Sequence, residues 1–413
     1  MEKLDVIVVG AGPAGLLAAG SAAEEGERVL VLEKMRQEGR KLLITGKGRC
    51  NITNDAEVEE FIRHVYPNGR FLRNAFGHFF SNEILELLHR YGVDTTCERG
   101  GRYFPSSNRS ADVLSALLKW VREMKVEIRC GERVEKLLIE DQNIKGVQSN
   151  GQEIRAGKVI LATGGKSYPA TGSNGEGYEL ARLAGHTIEP LRPALVPLET
   201  RGDTAPKLQG LTLKNVTATI WVDDQKRGED FGEMIFTHFG LSGPIILTLS
   251  RIVVDALQQK SKVEVSIDLK PALDDQKLDA RLLRDLDESG KKQISNIFRE
   301  WLPSSMIPVF LDIAGIDPEK EGHQVSSKER GRIRNLMKDF RFIVTGHRSF
   351  KEAIITAGGV STKEISPKTM ESKLVSGLFF AGEMIDLDAE TGGYNLQIAY
   401  STGWLAGKSR CGA

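Results

Sequence analysis

The chain has 413 residues, 40% hydrophobic and 27% charged, with 56 basic and 56 acidic side chains and a formal net charge of zero. This length exceeds one ordinary core, so two or three domains are expected, and the composition is that of an ordinary globular protein. Balanced charge excludes a global pull toward nucleic acid or anionic membrane and leaves only local patches to consider. The four cysteines, Cys50, Cys97, Cys130 and Cys411, form no CxxC pair. No zinc site or redox disulfide is therefore written locally, and a reduced, cytoplasmic setting is expected. No signal sequence is read before the first strand, and no apolar run approaches about 18 residues, so no membrane partner is expected.

The chain opens on a β-branched strand, Leu4 to Val9, closed by Gly10-Ala11-Gly12-Pro13-Ala14-Gly15 and a small-residue helix over Leu16 to Ala23. Strand, GxGxxG and helix in that order are the context in which this spacing marks a dinucleotide site. The first glycine permits the turn, the second admits the pyrophosphate and the third lets the helix approach. A second strand, Arg28 to Leu32, ends in Glu33, an acid placed to accept from a ribose diol.

The next stretch, Gly39 to Asn54 (GRKLLITGKGRCNITN), is read as a basic loop running beside the rest of the dinucleotide or, more plainly, as a solvated surface loop. Residues 57–92 read as helices, and Gly100 to Pro105 as a short extended turn. Ser110 is expected to cap a helix running to Met124. Val126 to Cys130 reads as a strand, residues 132–148 as a small meander, and Lys158 to Gly165 as a buried strand closed by glycines. Gly172, Gly175 and Gly177 follow no adjacent strand of the right kind, so no separate nicotinamide domain is expected.

Composition changes near Leu191. Residues 193–343 are read as an insertion with a β part (Val216 to Val222, Lys262 to Asp268) and a charged α part from Asp274 to about Asp339. The doubly wound domain is expected to resume at Phe342-Ile343-Val344. The predicted domains are thus 1–192 and 344–413, forming one dinucleotide-binding unit, and 193–343. Within the insertion, Phe236 to Pro244 (FTHFGLSGP) opens an apolar helix, and the plainer reading of His238 there is a hydrogen-bonded structural histidine.

Near the C-terminus, Gly377 to Glu383 reads as a buried strand ending in a glycine and an acid, and Gly392 to Gln397 opens a final helix. Such a second anchor, far from the GxGxxG turn, suggests FAD over NAD. The acid can hold ribityl hydroxyls, and the helix amino end can face the pyrimidine edge where negative charge accumulates on reduction.

With both ends read, the chain resembles the BaiN/RdsA family of NAD(P)/FAD-dependent oxidoreductases. The resemblance is carried by Gly39 to Asn54, Lys158 to Gly185, Phe236 to Pro244 and Gly358 to Asn395. Lys47 stands where a small residue is expected. The resemblance implies an α/β, Rossmann-like FAD domain built from both chain ends, with an inserted β-barrel-like and helical domain. It places Gly10, Gly12, Pro13, Ala14 and Gly15 at the pyrophosphate, Glu33 and Lys34 at the adenosine ribose, and Val134 at adenine. Arg40, Lys41, Gly48, Asn51, Thr163, Gly164 and Gly165 would border the FAD. Gly382 and Glu383 would meet the ribityl chain, and Gly393, Tyr394, Asn395 and Leu396 the flavin ring.

The implied chemistry is hydride transfer from NAD(P)H to flavin and then to an activated C=C of a small-molecule or nucleobase acceptor. Cys50, His238 and Tyr394 are the candidates for polarising the acceptor or giving a proton. One rival is a flavoenzyme reducing uridine in ribosomal RNA, with Lys328, Arg330, Arg332, Arg334, Lys338 and Arg341 as a basic face. Another is a flavin- or nucleotide-sensing module without turnover.

Overall fold

The computed structural model describes residues 4–410, so Cys411 lies outside the described residues. The chain forms two units, one from residues up to Pro193 together with those from Phe350 onward, the other from Ala194–Ser349.

The first unit is built on a five-stranded parallel sheet in the order Leu378–Phe380, Lys158–Leu161, Val6–Val9, Val29–Glu33, Glu127–Cys130. Its central strands are continuous β-branched and leucine runs because a parallel sheet is covered on both faces; all four residues of Val6–Val9 are buried. The chain turns sharply at Gly10 (φ +105°) into the helix Pro13–Glu24. A Cβ on Gly15 would stand 1.8 Å from the Gly10 carbonyl oxygen, so only glycine lets that helix lie on the strand it follows.

Leu378–Phe380 pairs with Lys158–Leu161, beside the first strand. The terminal helix Tyr394–Lys408 then packs along Pro13–Glu24. The contact is backbone-close: a Cβ on Gly403 would meet the Ala14 carbonyl oxygen at 2.2 Å, and Ser21 Oγ donates to the Trp404 carbonyl at 3.0 Å. The two ends of the polypeptide therefore form one wall. An antiparallel meander, Val134–Glu140, Asn143–Ser149 and Gln152–Arg155, stands apart from the parallel sheet as the sequence suggests.

The second unit is a closed six-stranded barrel in the order Leu198–Thr200, Gly240–Ser242, Gln225–Thr237, Thr212–Val222, Val263–Asp268, Phe340–His347. The helices Pro244–Gln258, Asp275–Glu288, Ile307–Ala314 and Ser327–Lys338 complete it. Alternation in Thr212–Val222 matches a barrel wall, with Val216, Ala218, Ile220 and Val222 turned inward.

Three expectations need correction. The strand containing Phe342 to Val344 closes the barrel between Val263–Asp268 and Leu198–Thr200, so the first unit resumes only at Phe350. The Gly39–Asn54 stretch is not an irregular loop throughout: Arg40–Ile44 is a short helix whose start is tied down by Gly39 N–H bonding the Ala11 carbonyl at 3.0 Å. Ser110 does not cap its helix. It is the first helical residue, and its hydroxyl donates instead to the Leu43 carbonyl at 2.7 Å.

Candidate functional site

The turn after the opening strand presents an uncapped helix amino end. Gly12 is the cap residue of Pro13–Glu24 and no side chain among the described residues caps it. Nothing stands within 4 Å of the place its Cβ would fill, and Pro13 at the first helical position spends no N–H there. Glu33 turns back toward this end and is held by backbone donors: the Ala11 N–H reaches one carboxylate oxygen at 2.9 Å, the Met35 N–H the other at 2.8 Å. Positive helix end and oriented acid together suit a pyrophosphate flanked by a ribose diol.

The chain leading to Val134 runs past the same strand end, with Glu132 N–H on the Glu33 carbonyl (2.9 Å) and Gly131 N–H on that of Met35 (3.0 Å). Val134 itself is buried. Lys34 is engaged by Asn174 (2.6 Å) and Glu176 (3.2 Å), residues of the glycine-bearing stretch that the spacing argument set aside.

A second cluster surrounds Glu383. One of its oxygens accepts from the Thr356 N–H (2.7 Å) and Ser167 Oγ (2.9 Å), the other from Lys41 Nζ at 2.5 Å, which also bonds Ser167 Oγ at 2.7 Å. Gly165 lies against this carboxylate: a Cβ there would meet Glu383 Oε1 at 2.6 Å. Thr163 Oγ1 bonds Met384 Sδ at 2.7 Å, Gly164 adopts φ +74°, and Gly382 (φ +70°) abuts Ala14. The family resemblance brought Lys41, Gly164 and Gly165 into consideration, and the strand–glycine–acid pattern brought Glu383; Ser167 lay unremarked inside a quoted stretch, and Thr356 carries no local signal.

The loop from Gly48 to Asn54 is pinned to the terminal helix by a buried network. Thr53 Oγ1 donates to Gln397 Oε1 (2.7 Å), Gln397 Nε2 to Ser401 Oγ (2.9 Å), and Asn54 Nδ2 to the Gly392 carbonyl (3.0 Å). Gly48 (φ +86°) opens this loop, and Arg40 lies earlier, at the start of the helix Arg40–Ile44. The Oδ1 atom of Asn51 is buried with no hydrogen-bond partner among the described residues. A buried carbonyl oxygen left unpaired is costly, so a ligand offering an N–H or O–H fits here. The terminal helix begins at Gly393 (φ +100°), again without a side-chain cap. Asn395 spends its side chain on the preceding loop, bonding Ala389 N–H and the Ala389 and Glu390 carbonyls. The backbone N–H groups of Asn395 and Leu396 are left facing outward from the first turn.

The three proton-donor candidates fall in different surroundings. Cys50 is fully buried against the Tyr400 hydroxyl, and burial pushes its thiol up to about 12, so it neither reaches a ligand nor gives a thiolate. Tyr394 is packed as an aromatic strut, edge-on to Phe61 at 4.6 Å and stacked on His64 at 4.7 Å. Burial, then the charges of Glu390 and Glu60, push it up to about 12. His238 is exposed in the tight turn of the second unit, its ring against Phe239.

The geometry shows a group the sequence reading missed. His64 Nδ1 bonds Glu390 at 2.8 Å, and Tyr66 Oη donates to the other Glu390 oxygen at 2.9 Å. These residues are 326 and 324 positions apart, a pairing no local spacing announces. Strand pairing of Val65–Tyr66 with Asp388–Ala389 brings them together.

At least four of the six basic residues named in the insertion are engaged within it. Arg330 pairs with Asp279, Lys338 with Asp268, and Arg341 with Asp339 and Glu264, while Arg332 bonds the Gly315 carbonyl. Among the described residues there is no cluster of three or more metal-ligating side chains, and no helix is long and apolar enough to cross a membrane.

A parallel sheet with an open glycine turn, an acid at the end of its second strand and a second uncapped helix from the far end of the chain defines a protein of the Rossmann-like, dinucleotide-binding type. The comparisons agree with this class. Residues 4–409 match the HI0933-like protein Rossmann domain. The chain is 33% identical to the 3-dehydro-bile acid delta(4,6)-reductase of Clostridium scindens, covering 97% of this chain and 98% of that protein. It is 30% identical to the ribosomal RNA dihydrouridine synthase of Escherichia coli, covering 98% and 97%. The 3-ketosteroid delta1-dehydrogenase of Sterolibacterium denitrificans shares the fold at a TM-score of 0.50, with 12% identity over 98% of this chain and 99% of that one. The chain belongs to the HI0933-like family, and it is an oxidoreductase.

Proposed function

We propose that the chain is an FAD-dependent reductase that draws electrons from NAD(P)H and saturates an activated C=C bond of a ring acceptor. The observation that carries this reading is the meeting of the two chain ends, which sets two uncapped helix amino ends and two oriented acids, Glu33 and Glu383, in one unit. A nicotinamide dinucleotide needs only the first of these anchors; the second suits a ribityl chain and an isoalloxazine ring.

Gly10 to Gly15 would bind the pyrophosphate and Glu33 the adenosine ribose. Glu383, held by Lys41, Ser167 and Thr356, would meet the ribityl hydroxyls, with Asn51 and the amides of Asn395 and Leu396 toward the ring. When bound, FAD supplies two-electron hydride chemistry between nicotinamide and acceptor. The chain's part is to hold the acceptor, exclude water and give the second hydrogen as a proton. The two relatives' names both describe saturation of a ring C=C, and that shared chemistry supports the reaction class without choosing between a steroid-like acceptor and a uridine.

The test is spectroscopic. The purified protein, as isolated or after reconstitution, is expected to be yellow, to bleach anaerobically with NADH or NADPH, and to regain colour on adding a ring enone. A protein that stays colourless with excess FAD overturns the cofactor assignment. A flavin that neither nicotinamide bleaches overturns the reductase.

A further inference from the structure

Three histidine–carboxylate pairs stand in the first unit, and they differ in what they leave free; His89–Asp94 (3.1 Å) is a surface pair, with both side chains more than three-quarters exposed and the two residues close in sequence. His186 bonds Glu364 through Nδ1 (3.2 Å) and Ser372 Oγ through Nε2 (2.8 Å), and its side chain has no exposed surface. Ser372 Oγ in turn accepts from the N–H groups of Leu374 and Val375. With every polar atom spent and no surface exposed, this is a strut. His64 is the opposite case. Glu390 takes Nδ1 at 2.8 Å and is itself fixed by Tyr66, while Nε2 has no hydrogen-bond partner among the described residues. The His64 side chain is 30% exposed.

An imidazole oriented through one nitrogen by a carboxylate and presenting the other to solvent is the arrangement of a general acid or base. Its location connects it to the site. The ring stacks on Tyr394, the first residue of the terminal helix, and the Glu390 N–H bonds the His64 carbonyl at 3.2 Å. Thus the pair is built into the same loop that delivers the helix amino end.

From this geometry we propose that His64 is the proton donor of the reductase, oriented by Glu390 and acting through Nε2. The assignment rests on the reductase reading above. Saturating a C=C adds two electrons and one hydrogen as hydride at one carbon and a proton at the other. The hydride comes from the reduced cofactor, which is oxidised by two electrons. The proton leaves His64 Nε2, and the neutral imidazole regains one from water. The groups facing His64 are Glu390 and Glu60, both acidic, and the phenols of Tyr66 and Tyr394. The hydrogen bond to Glu390 is the main reason the imidazole is held above its ordinary value.

Two measurements decide the matter. In an imidazole NMR titration of the protein, His64 should titrate above a free histidine, and Glu390→Gln should lower that midpoint; a His64 titrating normally in both overturns the proposal. In stopped-flow with 2-cyclohexen-1-one, His64→Gln should keep its flavin and bleach with nicotinamide within about twofold of wild type. Its reoxidation by the enone should slow about 100-fold or more, while reoxidation by oxygen is unchanged. The wild-type enone step should fall as pH rises through the His64 midpoint, and the variant's should be flat. An enone step of wild-type speed in His64→Gln overturns the assignment but leaves the reductase standing. A wild-type holoenzyme that cannot use the enone overturns the reading on which the assignment rests. Should His64→Gln fail to fold, Glu390→Gln decides through the same pH profile, which must shift down with the midpoint.

Discussion

At the scale of single residues, the Glu383 cluster separates what holds the fold from what would hold a ligand. Its carboxylate accepts three donors, two of them from Ser167 and Thr356, so the charge is well satisfied before anything binds. Glu383→Gln keeps an acceptor for Thr356 but turns an NH₂ toward the Lys41 ammonium. We expect FAD affinity to fall about tenfold, or about 1.4 kcal/mol, within the range for a hydrogen bond to a charged group, together with a lowered Tm. Adding Lys41→Met removes the donor–donor clash, so Tm should recover while affinity stays low. Recovery of both by the double variant would reduce Glu383 to a structural residue. This acid was legible because it ends a buried strand that a loop joins to a helix-opening glycine pair. What packs on Cys50 was not legible for the converse reason: its burial against Tyr400 depends on a helix some 350 positions away. His64 was invisible on the same ground, since its partner arrives only through strand pairing.

At the scale of elements, the helix Ser327–Lys338 shows how composition misleads. Its arginines and lysines suggest a basic face, yet the sequence gives no sign that Asp279, Asp268 and Gly315 lie opposite them. What is legible is its start, Ser326-x-x-Glu329, a capping box. Ser326 Oγ accepts the Glu329 N–H, and Glu329 accepts the Ser326 N–H at 2.8 Å and Lys320 Nζ at 2.8 Å. The Lys320 bond, followed by the Ser326 backbone bond, holds this carboxyl at about 2, below its ordinary 4.5. A depressed carboxylate stabilises the fold above its unfolded value and loses that contribution as pH falls through the folded one. Glu329→Gln should therefore lower stability by about 1 kcal/mol at neutral pH. The gap to wild type should hold down to about pH 4.5 and close toward pH 2, as followed by urea unfolding at several pH values. A gap that is constant with pH would exclude the charge as its source. The strand Phe340–His347 was misassigned for a related reason: a buried apolar run reads the same in a parallel sheet as in a barrel wall, and only the antiparallel partner distinguishes them.

At the scale of the whole molecule, the first unit depends on chain ends almost 400 residues apart lying backbone to backbone. The sequence announces each end through its own glycines but not the contact between the helices, which is made by small residues whose role is to be absent. Gly403 faces the Ala14 carbonyl, and Gly407 faces Ser21 Oγ and the Ala18 carbonyl, so at each position a backbone oxygen that cannot rotate away blocks a Cβ. Gly403→Val should force the terminal helix off Pro13–Glu24, at a cost of about 1–3 kcal/mol for overpacking. That displacement also separates the amide end at Asn395 and Leu396 from the Gly10–Gly15 turn, so binding and folding should fail together. In the wild type, FAD at about 100 times its Kd should add about 2.7 kcal/mol to stability, since it binds only the folded unit. In Gly403→Val the thermal shift with the same FAD should largely vanish, even when cooling restores the folded fraction. A variant that is destabilised yet shifts as fully as wild type would show that one end of the chain suffices to hold the cofactor, and that the second helix is packing alone.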